Sequence, residues 1–329
     1  MAEKRLYFFD NAKFILITLV LIGHFFEPLL QENTLAEVLY IFIYSFHMPA
    51  FIFIAGYFSN VNVEFKYYLI KNIKRLLIPY FIFQFLYLAF NSLLNNYSLI
   101  LNFKRPFWIL WFLLSLFFWR VLIFIIEKFK IPAVFTFLAA VAAALLIGFT
   151  AEFGRIFSGS RTVVFFPFFI LGYYFKKYSI AVRYKNLDNY ISRKLMFFIY
   201  TAELIFIYLF LNNLNLEILY GAVSYFRLGS GLSQALLNRF LFLNAALINL
   251  FLFFKIIPAQ RTLISSRGAR SIYPFLLHGF IIIILDKFDL FYFLNPGFSL
   301  FVNLFLALFF SWFLSSQKIR NIFKYILEF

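Results

Sequence analysis

Apolar runs broken at regular intervals by short polar stretches set the rhythm of this chain. They occupy approximately 14–31, 36–58, 77–94, 107–126, 131–149, 162–176, 195–212, 239–257, 271–286 and 298–316. A helix crossing about 30 Å of hydrocarbon needs about 20 mainly apolar residues, and lipid leaves a single open segment no other way to satisfy its backbone. The pattern therefore predicts an all-α, polytopic integral membrane protein of about ten transmembrane helices. The sixth and ninth runs are short and the fifth is rich in alanine, so counts of nine and eleven stay open.

The polar stretches carry the orientation. Cytoplasmic loops of membrane proteins collect Lys and Arg, and with the N-terminus inside, 22 of the 30 basic residues fall on the cytoplasmic side. They include Lys4, Arg5 and Lys13, then Lys66, Lys71, Lys74 and Arg75, and later Lys176, Lys177, Arg183, Lys185, Arg193 and Lys194. The opposite side receives Lys104, Arg105, Arg155, Arg161, Arg227, Arg239 and Lys287, while Arg120 lies inside a run. Both termini are predicted cytoplasmic. The opening MAEKRLYFFDNAK runs into the first apolar stretch with no small-residue cleavage site, so that stretch is predicted to be retained as a helix.

Composition agrees: 64% hydrophobic residues, 13% charged and a mean hydropathy of +0.88 suit a surface that faces lipid. The net charge of +16 is then mainly a topology signal. Nucleic-acid binding is not expected, because the longest loops, about 177–194 and 213–238, are too short to fold as a basic domain. A single membrane domain over 1–329, without an appended soluble domain, is predicted. The absence of cysteine excludes thiolate metal sites, disulfides and a cysteine nucleophile.

Only three histidines occur, and each sits inside an apolar run: His24, His47 and His278. An ionisable side chain at such a place is costly and marks a functional site by default. Lys13 precedes His24 by eleven residues, 3.06 helical turns, so one helix joins a cytoplasmic cation to an imidazole about 16 Å away. Glu27 follows His24 by three residues and is placed to orient it as a histidine–acid dyad, or else is an interfacial charge. Pro49 and Gly56 near His47, and Pro274 and Gly279 near His278, suit helices that border a protein-lined cavity. A plain hydrogen bond to a neighbouring helix is the alternative for His47. No ligand spacing supports a three-histidine metal site, and no metal is expected. Lys71, Lys74 and Arg75 either hold lipid phosphates or clamp the phosphates of a nucleotide-containing donor.

The strings DNAKFILITLVLIGH, FHMPAFIFIAGYF, KRLLIPY, LWFLLSLFFWR, FFPFFILGYYFKK and SIYPFLLHG occur in this order between residue 10 and about 280. Together they resemble the acyltransferase 3 family of integral-membrane acyltransferases, in the branch related to fucose 4-O-acetylase. The resemblance implies ten helices and transfer of an acyl group, commonly acetyl from cytoplasmic acetyl-CoA, onto a hydroxyl of an envelope or exported polysaccharide. It implies a transferase of groups other than aminoacyl with no bound cofactor, acetyl-CoA or another acyl-CoA being the co-substrate. By the same resemblance His24 is the essential histidine, acting as base or as transient acyl carrier. Lys13, where many members carry Arg, and Arg75, with Lys74 beside it, lie near the donor. His47, Trp111, Arg161, Tyr273 and His278 match positions that line the donor or acceptor path. The implied partners are acyl-CoA, a glycan acceptor, the lipid bilayer of a bacterial plasma membrane, and polysaccharide-synthesis or export proteins. The rival readings are a transporter or flippase for a polysaccharide or lipid-linked sugar, for which mid-membrane histidines also serve, and a scaffold subunit of an export complex.

Overall fold

The computed structural model describes residues 6–150, 154, 156–180, 192–229, 231–292 and 295–328. Lys4, Arg5, Arg155, Arg183 and Lys185 of the charge pattern lie outside the described residues. Within them the chain is all-helical, with no strand. The helices are α1 (Tyr7–Phe26), α2 (Thr34–Tyr57), α3 (Phe65–Asn72), α4 (Ile78–Asn95), α5 (Trp111–Lys128), α6 (Ala133–Leu146) and α7 (Gly159–Lys177). There follow α8 (Arg193–Leu209), α9 (Leu232–Ile256), α10 (Ser265–Gly268), α11 (Ile272–Lys287), α12 (Pro296–Leu314) and α13 (Gln317–Leu327).

Each of the ten apolar runs coincides with one of these helices. Seven helical segments are long and apolar enough to cross a membrane: Tyr7–Leu29, Thr34–Tyr57, Phe65–Asn95, Trp108–Lys128, Ile156–Lys177, Leu232–Ile256 and Pro296–Leu314. The other three runs form shorter helices, Ala133–Phe149, Arg193–Leu209 and Ile272–Lys287. At 1.5 Å per residue these reach about 24 to 26 Å.

Side-chain caps explain several helix starts. Asn33 accepts from the Ala36 N–H at 3.0 Å and opens α2; Asn295 accepts from the Phe298 N–H at 2.8 Å and opens α12, with Pro296 at its first position. Helix α1 starts seven residues before its apolar run because the polar side chains there find protein partners. Asn11, fully buried, donates to the carbonyls of Pro258 and Gln260 at 2.9 and 3.0 Å and accepts from Thr262 and Ser265. This one amide ties the first helix to the segment that leads into α11. His24 stands in the last turn of α1, which ends at Phe26 just before Glu27 and Pro28.

Helices α3 and α4 form one continuous rod through a π-helical turn at Ile73–Leu77. Pro79 has no N–H to give to the Arg75 carbonyl, and the wider turn just before it relieves the missing α-helical bond. Helices α2 and α7 meet backbone to backbone. A Cβ at Gly172 would lie 2.0 Å from the Phe53 carbonyl oxygen, and one at Gly56 would lie 2.1 Å from that of Phe169. Small residues on both sides of a crossing let helices in lipid approach closely. That crossing holds the half of α2 that carries His47 against the centre of the bundle.

Candidate active site

A cavity of about 420 Å³ lies where α1, α2, α5 and α7 meet the loops before α5 and before α9. His24, Glu27, His47, Trp111 and Arg161, five residues singled out in the sequence, all line it. Tyr44, Arg105, Trp108 and Tyr220 complete its polar and aromatic wall.

His24 is the junction of the cluster. Glu27 Oε2 and Tyr44 Oη lie 3.2 and 3.3 Å from its Nδ1. An ionised carboxylate only accepts, so Nδ1 carries the proton and donates to Glu27, and Nε2 keeps the lone pair of the neutral ring. The ring meets Trp108 edge-on with centroids 4.4 Å apart and stacks on His278 at 5.3 Å. Tyr44 bridges to His47, whose ring centroid is 4.7 Å from its own. The three imidazoles thus converge, although His278 stands behind His24 and does not line the cavity.

His47 and His278 are oriented alike. Each is buried, and each has Nδ1 2.7 Å from the carbonyl four residues earlier, Ile43 and Pro274 respectively. A carbonyl only accepts, so both rings donate through Nδ1 and leave Nε2 as the basic atom. The Nε2 of His278 is buried without a hydrogen-bond partner. No group of three or more His, Cys, Asp or Glu side chains able to hold a metal ion occurs among the described residues.

The roof of the cavity is set by residues remote in sequence. Gln84, fully buried on α4, donates to the carbonyls of Asn102 and Arg105 at 2.6 and 3.0 Å and accepts from the Phe107 N–H at 2.7 Å. It folds the loop that delivers Arg105 and Trp108. On the other side Arg161 donates from Nε to the Tyr220 carbonyl at 3.1 Å and lies over the Trp111 ring at 5.0 Å. Tyr220 in turn bonds Tyr40 between hydroxyls at 2.7 Å, and Tyr40 stacks on Tyr44 at 3.9 Å. An arginine lying on an indole keeps its charge inside a largely aromatic wall.

The remaining predicted residues lie elsewhere. Lys13 is ion-paired with Asp10 at 2.9 Å, one turn earlier on α1, and Lys74 and Arg75 are exposed on the π-helical turn; none of the three lines the cavity. Tyr273 points away from it: its hydroxyl donates to Glu328 Oε1 at 2.7 Å, at the end of α13. Arg120 takes on a role that a lone arginine in LWFLLSLFFWR could have signalled. Its Nη1 donates to Asn72 at 2.8 Å, and its Nε is buried without a partner among the described residues. Tyr44 and Trp108 carried no comparable signal among so many aromatics.

A segment of 55 residues, 16% of the chain, is 51% identical to the nodulation protein NolL of Mesorhizobium japonicum. The chain covers 15% of that protein's length. No solved structure matches. The model of the Acyl_transf_3 family, described as an acyltransferase domain, matches residues 6–316, nearly the whole chain. The chain belongs to the acyltransferase 3 family, and its apolar helices mark it as a multi-pass membrane protein.

Proposed function

We propose that this protein is an O-acyltransferase that moves an acetyl group from cytoplasmic acetyl-CoA to a hydroxyl of a cell-envelope or exported glycan, with His24 at the reacting centre. The observation that carries this reading is the pairing of His24 Nδ1 with Glu27 at the wall of a cavity that also holds Arg161 and Trp111. A carboxylate on Nδ1 fixes the tautomer and stabilises the imidazolium that forms when Nε2 takes a proton.

The reaction balances as a direct transfer. His24 Nε2 takes the hydroxyl proton of the acceptor, the acceptor oxygen bonds to the thioester carbonyl carbon, and the carbon–sulfur bond breaks. The departing CoA thiolate recovers a proton from the imidazolium. In the two-step variant Nε2 first bonds to the acyl carbon as CoA leaves as its thiolate, and the acceptor oxygen then displaces the imidazole, its hydroxyl proton passing to the thiolate through solvent. Arg161 supplies positive charge for the tetrahedral oxyanion in either case.

On the donor side Lys13, Lys74 and Arg75, with Arg120 behind them, hold the phosphates of CoA. The pantetheine arm follows α1 over the roughly 16 Å of rise between Lys13 and His24. A plasma-membrane location with both termini inside completes the reading, because it puts those cations on the side where acyl-CoA is made.

The test is transfer of labelled acetyl from acetyl-CoA to glycans in vesicles bearing the parental protein or His24→Ala, followed by mass spectrometry of the glycans. Transfer should vanish in the variant at equal protein level. Transfer at the parental rate would remove His24 from the chemistry. A glycan pool altered in location but never in mass would favour transport.

A further inference from the structure

A second cavity, about 540 Å³, opens between α2, α8 and α9 and takes no part in the chemistry described above. Along α9 it runs from Gln234 to Asn249, fifteen residues or about 22 Å, so it is a long cleft and not a round pocket. Its walls are mostly aliphatic and aromatic, from Ile41, Phe206, Leu241 and their neighbours. Among the described residues none that lines it is Lys or Arg, and the one charged residue is Glu203.

Three further observations narrow what fits. Asn249, 1% exposed, donates through Nδ2 to Ser45 at 3.1 Å and to Glu203 at 2.7 Å, and its Oδ1 is left with no hydrogen-bond partner. An amide oxygen left without a donor is a polar spot in an otherwise apolar wall. At the other end of the cleft Asn213, Gln234 and Asn238 form an uncharged polar rim, with Gln234 donating to Asn238 at 2.9 Å. Finally Leu219 lines both this cleft and the histidine cavity, so the two are neighbours.

We propose that the cleft binds the aliphatic chain of an uncharged glycolipid, and that this lipid-borne glycan is the hydroxyl acceptor presented past Leu219 to His24. The inference rests on the acyltransferase reading above. The long apolar walls take the chain and the amide rim takes sugar hydroxyls. The lack of a lining cation disfavours an anionic headgroup, whose charge would face Glu203 unopposed.

A photoreactive dodecyl glucoside in phosphatidylcholine nanodiscs is the direct probe. It should label peptides of α8 and α9, and excess dodecyl glucoside should compete while added phosphatidylglycerol does not. Ala245→Trp and, independently, Ile248→Trp fill the cleft and should each lower labelling about tenfold, the equivalent of about 1.4 kcal/mol. Neither should change acetyl transfer to a water-soluble methyl glycoside. His24→Ala should be labelled like the parent, which separates this site from the chemistry. Labelling that survives both tryptophans, or that phosphatidylglycerol displaces equally well, would mean ordinary bilayer lipid only and overturn the proposal. Intact cleft labelling in a protein that never transfers an acyl group would instead sink the acyltransferase reading and leave the cleft standing as a glycolipid site.

Discussion

The imidazoles of His24 and His278 stack with their centroids 5.3 Å apart and their planes inclined by 23°. They come from helices whose sequence positions are more than 250 residues apart, and the second ring lies outside the cavity that the first one lines. His278 is held by its own helix through Pro274 and in turn limits how the His24 ring can tilt. It is a positioning residue in the proposed reaction.

His278→Ala removes that support and should lower kcat for acetyl transfer roughly 100-fold, the scale of a misplacement by about 1 Å. The KM for acyl-CoA should hardly move. His278→Phe restores a flat ring and should recover much of the loss, which a hydrogen-bonding or proton-carrying role would not allow. Steady-state kinetics of the two variants beside the parent decide the matter, and equal impairment of both would assign His278 a chemical role.

Glu27 is bonded to His24 Nδ1 yet has 41% of its side chain exposed, so its replacement costs the fold little. Glu27→Gln keeps the shape and can present an N–H to Nδ1, favouring the tautomer with its lone pair on the wrong nitrogen. The kcat should fall by roughly 10²- to 10⁴-fold with normal protein level in the membrane. Parental activity in this variant would leave Glu27 as an interfacial charge.

Much of the architecture was legible from the chain, and the reason is physical. Lipid forces each apolar run into a helix, so the ten runs map onto helices even where their ends move. The convergence of His24, His47 and His278 was signalled by three ionisable rings that lipid would not tolerate. The early start of α1 was not legible, because Asn11 there binds a loop almost 250 residues away. The roof was hidden for the same reason: Gln84 orders the Trp108 loop through three bonds with no local signature. Tyr273 matched a family position, but its hydroxyl is engaged with Glu328 and not with the cavity.

That engagement gives a pH prediction at the end of the chain. Glu328 accepts from Arg320 at 2.7 and 2.8 Å and from Tyr273, and these bonds hold its carboxyl down to about 2 from an ordinary value of 4.5. A depressed carboxyl contributes stability that is present above its unfolded value and lost as pH falls through the folded one. Docking of α13 should therefore be constant at neutral and mildly acid pH and loosen between about 4.5 and about 2. A single cysteine at Tyr325, labelled with an environment-sensitive dye in this cysteine-free chain, reports it. Glu328→Gln should abolish the transition, and a midpoint near neutral pH would exclude this carboxyl as its cause.

Lys13 offers the sharpest division between donor binding and chemistry, because Asp10 already occupies it at 2.9 Å. For CoA phosphates to use Lys13, the ammonium must exchange a carboxylate for a phosphate, and Asp10 competes with the donor. Lys13→Glu reverses the contact and should raise the KM for acyl-CoA about tenfold or more while leaving the KM for the acceptor alone, since lost ground-state binding appears there. Lys13→Arg retains the charge, adds a planar fork suited to phosphate, and should be tolerated. Asp10→Asn removes the competitor and should lower the acyl-CoA KM. Kinetics with acyl-CoA and acceptor varied separately measure all three. Unchanged donor dependence in correctly inserted Lys13→Glu protein would show that Lys13 only anchors the inner end of the helix and that the phosphates are held elsewhere, with Arg75 and Arg120 the next side chains to vary.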